Sequence, residues 1–264
     1  MPPAASRTTN NRNMKITTIL MYCSNDFRWI EKCVEQASKI SEEIIIPICD
    51  HYFDGTPENR EVLDKTYELL NNNPKVQIIE FEWSPGHPTY YWANMARIIG
   101  KEYSSPETDW ILWLEADEII DEAAWNKWIE SKEYEQYDSF KLANYWYFRE
   151  PIYQAKNWED SVVLVRKELV NFDLSNPRER EQCHEFLPVR KKRETLGIDN
   201  LPMIHHYSWV RTKDEMLRKV KSWTHSGDRD WVSQVEKEFE HEFNGSDFIH
   251  GYQYNTVENK FNLK

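Results

Sequence analysis

Glu115, Asp117 and Glu118 follow directly on the five apolar residues at 110–114 (WILWL). An uninterrupted apolar run of this length fits a strand covered on both faces, as in a parallel sheet. In such sheets ligands bind beyond the carboxyl ends of the strands. Carboxylates placed there, Glu115 and Asp117, are set to hold a divalent cation through hard oxygen atoms and, through it, a phosphate group. The other reading is an acidic turn leading into a helix near Asp121, where negative charge is favourable.

Three further strands would put their ends beside that pair. Residues 15–22 are β-branched and apolar and read as a first strand. A helix follows from about Asp26, capped by Ser24 or Asn25, with Phe27, Ile30, Val34, Ala37 and Ile40 at helical spacing. A second strand at 43–49 ends in the turn-rich loop 50–56. Thr56 and Pro57 form a cap and first-turn pair for a helix burying Leu63, Tyr67 and Leu70. A third strand at 76–81 and a helix at 90–103 lead to the acidic strand. This alternation predicts βαβ units, with the strand ends at 22–26, 50–56 and 115–118 on one side. Beyond, 139–149, 161–170 and 203–209 read as strands, and 171–192 as a charged loop. Thr212 and Glu215 bracket a capping box for a helix carrying Met216, Val220 and Trp223. A last helix is expected near 231–243, and the final twenty residues read as loop.

Composition narrows the partners. The chain has 264 residues, 40% of them hydrophobic, enough for one large core. Its formal net charge of −12 argues against a nucleic-acid surface. The basic run 190–193 (RKKR) is a solvated loop or a steering patch for an anionic substrate. No apolar run is long enough to span a bilayer, and 1–13 has no signal-peptide core and reads as a disordered tail. The four cysteines show neither metal spacing nor a disulfide framework, which points to a cytoplasmic compartment. Twelve tryptophans and fourteen tyrosines must largely be core, but their flat faces also suit sugar rings.

In order and spacing these segments resemble a GT-A fold glycosyltransferase of the family 2 type. The resemblance rests on Tyr22 to Asp26 after the first strand, on Asp50 with Asp54 to Thr56 after the second, and on Ala96 and Arg97 before the Glu115 to Glu118 segment. A later series is similar to the lipopolysaccharide-core glucosyltransferase subgroup. It comprises Trp158 to Asp160, Val163 to Arg166, Cys183 to Glu185, His205 to Trp209 and Lys219. Glu115 stands where the family has Asp, and His51 and Phe53 replace small residues.

The resemblance implies an α/β fold, a Rossmann-like, mixed but mostly parallel sheet flanked by helices, with a helical C-terminal extension. It implies one domain over 14–264, whose half 14–120 binds a nucleotide-sugar (UDP, GDP or dTDP type) and whose half 121–264 binds a glycan or glycolipid acceptor. Tyr22, Asn25, Asp50, Arg97 and Glu115 become candidates for donor contacts. Asp117 and His206 become candidate ligands of Mn2+ or Mg2+, with His205 as the alternative histidine. Inverting transfer needs a base at the acceptor hydroxyl. Glu185 matches the family position, among residues able to desolvate it, and Asp160 is the second candidate; a salt bridge to Arg178, Arg180 or Arg190 is the plainer role for Glu185. Two rival functions remain, a sugar nucleotidyltransferase and a non-catalytic carbohydrate-binding protein. The absence of glycine from 22–28 counts against the first.

Overall fold

The computed structural model describes residues 14–52, 54–187 and 192–263. The expected tail at 1–13, Phe53 and the basic residue Arg190 lie outside them.

The chain opens as the sequence predicts, β1 (Ile16–Met21), α1 (Phe27–Ile40), β2 (Glu43–Cys49), α2 (Arg60–Leu70), β3 (Val76–Phe81), α3 (Thr89–Tyr103) and β4 (Trp110–Glu115). The four strands lie in the order β3-β2-β1-β4 and are all parallel. β4 shows why its run is apolar throughout. Trp110, Leu112 and Leu114 enter one core with α1, while Ile111 and Trp113 enter a second core on the opposite face. Gly100 lets α3 sit close on the sheet, since a Cβ there would come within 2.6 Å of Ile19.

The remaining strands are β5 (Glu118–Ile120), β6 (Ser139–Phe148), β7 (Glu150–Arg166), β8 (Lys192–Thr195), β9 (Ile204–Trp209) and β10 (Tyr254–Thr256). They extend the same sheet in the order β4-β7-β6-β9-β5, with β7 antiparallel to β4 and β6, and β9 parallel to β6. The helices are α4 (Glu122–Glu130), α5 (Arg180–Phe186), α6 (Lys213–Ser222) and α7 (Trp231–Glu238). The result is the mixed, mostly parallel α/β architecture with helices on both faces that the sequence suggested, with α6 and α7 in the C-terminal part.

Several details differ. α2 starts three residues late, because Asp54 takes the N–H and hydroxyl of Thr56 at 2.9 and 2.6 Å, leaving Asn59 to cap Val62. α1 has no side-chain cap, since the Asp26 carboxylate is drawn to Arg211. β7 begins at Glu150, in a hairpin with β6 through Arg149 at φ 61°. The expected loop 171–192 contains α5, and the expected C-terminal loop contains β10.

Candidate metal and substrate site

Strand register assembles the inner end of a cavity of about 440 Å3. Met21 pairs with Glu115 across β1 and β4, and Glu118 pairs with His206 across β5 and β9. Asp117 lies between β4 and β5, and its carbonyl accepts the N–H of Tyr207 at 2.8 Å. One ligand atom from each of Glu115, Asp117 and His206 lies within 4.8 Å of the others.

The two histidines separate by the pleat of β9, whose successive side chains face opposite ways. His206 and Ser208 line the cavity. His205 stacks on Tyr147, and its Nδ1 pairs with the Tyr147 hydroxyl at 2.7 Å. Burial pushes its pKa down to about 3, so it is a neutral core residue. Tyr147 is buried with it.

The charges around Asp117 are matched. Its Oδ2 meets Arg211 at 3.2 Å and Lys219 at 3.6 Å. Burial opposes its charge, but Lys219, His206 and Arg211 outweigh this and hold the carboxyl well below the usual range. His206 is moved the other way. Burial opposes its protonation, and Asp117 and Glu118 more than compensate. Glu118 is wholly buried and serves the scaffold. Its Oε2 accepts the Glu115 N–H at 2.8 Å and Arg180 Nη1 at 2.7 Å. Arg180 and Arg97 also approach Glu115, at 4.0 and 3.5 Å.

Several buried atoms in this network have no hydrogen-bond partner, among them Asp117 Oδ1 and His206 Nε2. These two lie 3.3 Å apart but are not aligned for a hydrogen bond. Leaving such atoms unsatisfied is costly. A shared cation beside Glu115 would satisfy both. Two carboxylate oxygens suit Mn2+ or Mg2+, and the added imidazole favours the softer Mn2+, so the residues present fit a divalent ion.

Outward from this end the cavity is lined by Tyr22, Asn25, Arg97, Lys219 and several indoles. The Tyr22 hydroxyl is bonded to Thr66 at 2.6 Å, and Asn25 Nδ2 to Ser222 at 3.1 Å. Asp50 is not a lining residue. Its Oδ1 is taken by the Trp83 N–H and by His51, both at 2.7 Å. On the outer wall, Ile249 and His250 project from a turn fixed by buried Asp247, which accepts four backbone N–H groups and the Tyr254 hydroxyl.

Neither expected base reaches the cavity. Along β7, Glu159 and Ser161 line it, so Asp160 faces the other way and pairs with Lys141 at 2.9 Å. α5 meets the cavity only with its first turn, and Glu185 is exposed one turn, about 5.4 Å, further along. Glu181 is the carboxylate of α5 that faces the cavity. Burial raises its pKa. The sequence reading named Arg180 only as a salt-bridge partner for Glu185 and did not name Glu181. The available signal was Glu179 with Gln182, a capping box that marks the start of α5.

No family model matches the chain, and no curated protein matches it. Solved structures of similar fold include the mannosyltransferase PcManGT from Pyrobaculum calidifontis in complex with GDP-Man and Mn2+. It is 8% identical over 87% of this chain and 65% of its own, with a TM-score of 0.49. 4-diphosphocytidyl-2C-methyl-D-erythritol synthase from Anaerococcus prevotii is 12% identical over 76% of this chain and 94% of its own, with a TM-score of 0.48. S. aureus TarS 1-349 is 9% identical over 93% of this chain and all of its own, with a TM-score of 0.41. At identities and TM-scores this low, these likenesses carry no argument about this chain.

Proposed function

We propose that this protein is a metal-dependent, inverting glycosyltransferase that moves a sugar from a nucleotide-diphosphate donor to a hydroxyl of a glycan or glycolipid. The observation that carries the reading is the convergence of Glu115, Asp117 and His206, one ligand atom from each within 4.8 Å of the others, beside Arg97, Arg180 and Lys219.

Asp117, His206 and Glu115 hold the cation, Mn2+ or Mg2+. When bound, the ion supplies Lewis-acid neutralisation of the charge that grows on a leaving nucleoside diphosphate. Lys219 reinforces that charge neutralisation from α6. Tyr22 and Asn25 border the donor. Glu181, kept basic by burial, takes the proton from the acceptor hydroxyl as it attacks the anomeric carbon. Trp146 and the Asp247 turn flank the acceptor side. No helix among the described residues is long and apolar enough to cross a membrane; we place the reaction in the cytoplasm.

The test is nucleotide release from UDP-, GDP- and dTDP-sugars with Mn2+, run beside Asp117→Ala. Release from one donor, abolished in the variant, is expected. Release that persists in the variant or after chelation removes the metal-dependent reading. A product with retained anomeric configuration removes Glu181 as the base.

A further inference from the structure

The mouth of the cavity is bordered by two segments about fifty positions apart. Arg178 and Glu179 precede α5, and His225 and Asp228 belong to the loop 223–230 between α6 and α7; all four line the cavity. His225 joins them. Its Nδ1 faces Asp228 Oδ2 at 3.0 Å, and its Nε2 faces Glu179 Oε2 at 3.3 Å. A neutral imidazole has one N–H and one lone pair, so it can satisfy only one of these carboxylates and repels the other. An imidazolium donates to both. The two nitrogens look at different carboxylates, so the group does not converge on a point where a cation would sit.

Other contacts set the loop against the cavity. Arg178 Nη2 reaches both oxygens of Asp228 at 2.6 and 2.8 Å. The Trp231 indole N–H donates to the His225 carbonyl at 2.8 Å, and Trp223 packs edge-on against the ring at 4.9 Å. Thr89 at the start of α3 donates to the Thr224 carbonyl at 3.4 Å. The charged groups facing His225 are therefore Glu179 and Arg178 from the segment before α5 and Asp228 from its own loop; Trp223 of that loop and Trp231 of α7 present indoles to it.

We propose that His225 is a proton-operated clasp that ties loop 223–230 to the first turn of α5 and so closes the mouth of the cavity. Its functional meaning rests on the reading of that cavity as the substrate site. In the clasped state the turn carrying Arg180 and Glu181 and the helix carrying Lys219 are braced against each other. Once the imidazole is neutral, one carboxylate faces a lone pair and its tie is lost, leaving the loop held by Arg178, Thr89 and Trp231 and looser on the acceptor side. The carboxylate of Glu179 and, against the opposing effect of burial, that of Asp228 raise the His225 pKa above the ordinary histidine value.

Hydrogen exchange of the full-length protein, at pH 5.5 and 8.5 and corrected for intrinsic rates, tests this without any substrate. In the wild type, loop 223–230 should be about tenfold less protected at the higher pH. His225→Gln should be poorly protected at both values, and His225→Arg, charged throughout, well protected at both. Peptides from β1 and β4 report that the fold is intact. Equal wild-type protection at the two pH values, a pH response surviving in His225→Gln, or a His225→Arg protein that switches like the wild type overturns the clasp. Failure to release nucleotide from any donor would remove the transferase reading and leave this exchange result standing.

Discussion

At the inner end of the cavity the Arg180 and Glu118 side chains are 3% and 0% exposed; at its mouth those of Arg178 and Asp228 are 55% and 39% exposed. Both pairs join the segment around α5 to another part of the fold. Buried, the first cannot be broken without stranding a charge, at roughly 3–5 kcal/mol. The second is hydrated and screened, and its loss exposes nothing new to water. The same residue types therefore make a fixed frame at one end and a releasable tie at the other. Depth decides which.

The comparison fails first if the inner end is not a metal site. Asp117→Asn or His206→Ala should lower nucleotide release by about a thousandfold or more, the scale of losing several kcal/mol of charge stabilisation. Calorimetry should show Mn2+ binding lost in both. Next in size is the base. Glu181→Gln should lower kcat by about 10²–10⁴-fold, while Glu185→Gln should stay within about twofold, as expected of an exposed residue outside the cavity. Because burial raises the Glu181 pKa and the base works deprotonated, activity should climb as pH rises through that value. The Gln variant should lose that limb.

Stability separates the two ends directly. Arg180→Met should cost about 3–5 kcal/mol in urea unfolding, and Arg178→Met should change it little. Equal effects would mean that depth does not distinguish the pairs. The smallest signal is a slope. His205 is neutral in the fold with a pKa of about 3, whereas the unfolded chain takes up a proton near pH 6.5. Its contribution is complete above pH 6.5 and is lost as pH falls from there. The slope is at most about 1.4 kcal/mol per pH unit, and His205→Gln should flatten it.

The parallel half was legible because each strand carries its own signal. β1 and β4 are apolar on both faces, and Glu115 and Asp117 stand at a strand end, where βαβ topology collects ligands. The histidine that joins them, His206, was preferred through the resemblance, with His205 as the alternative. The second half was less legible. α5 is seven residues long in a charged stretch, and its place depends on Arg180 finding a buried Glu118 some sixty positions away. No local pattern records such a partner. Nor does local pattern say which carboxylate of that short helix reaches the cavity, which is why Glu181 was overlooked and Glu185 chosen. Asp160 failed differently. It sits beside two cavity-lining residues on one strand, and alternation alone turned it away.

That same alternation gives β9 an unusual sensitivity. His205 and His206 are neighbours in the chain but serve opposite sides of one sheet, and the ladder between β5 and β9 holds them there. One residue inserted between 201 and 203 and absorbed by sliding the strand would exchange them. The ion would still be offered an imidazole, and the core would still receive one, yet Ser208 and Tyr207 would trade places too, burying a hydroxyl where a ring had packed. Alignment by composition would call such a protein intact. Its chemistry would be lost to a frame error of a single pleat.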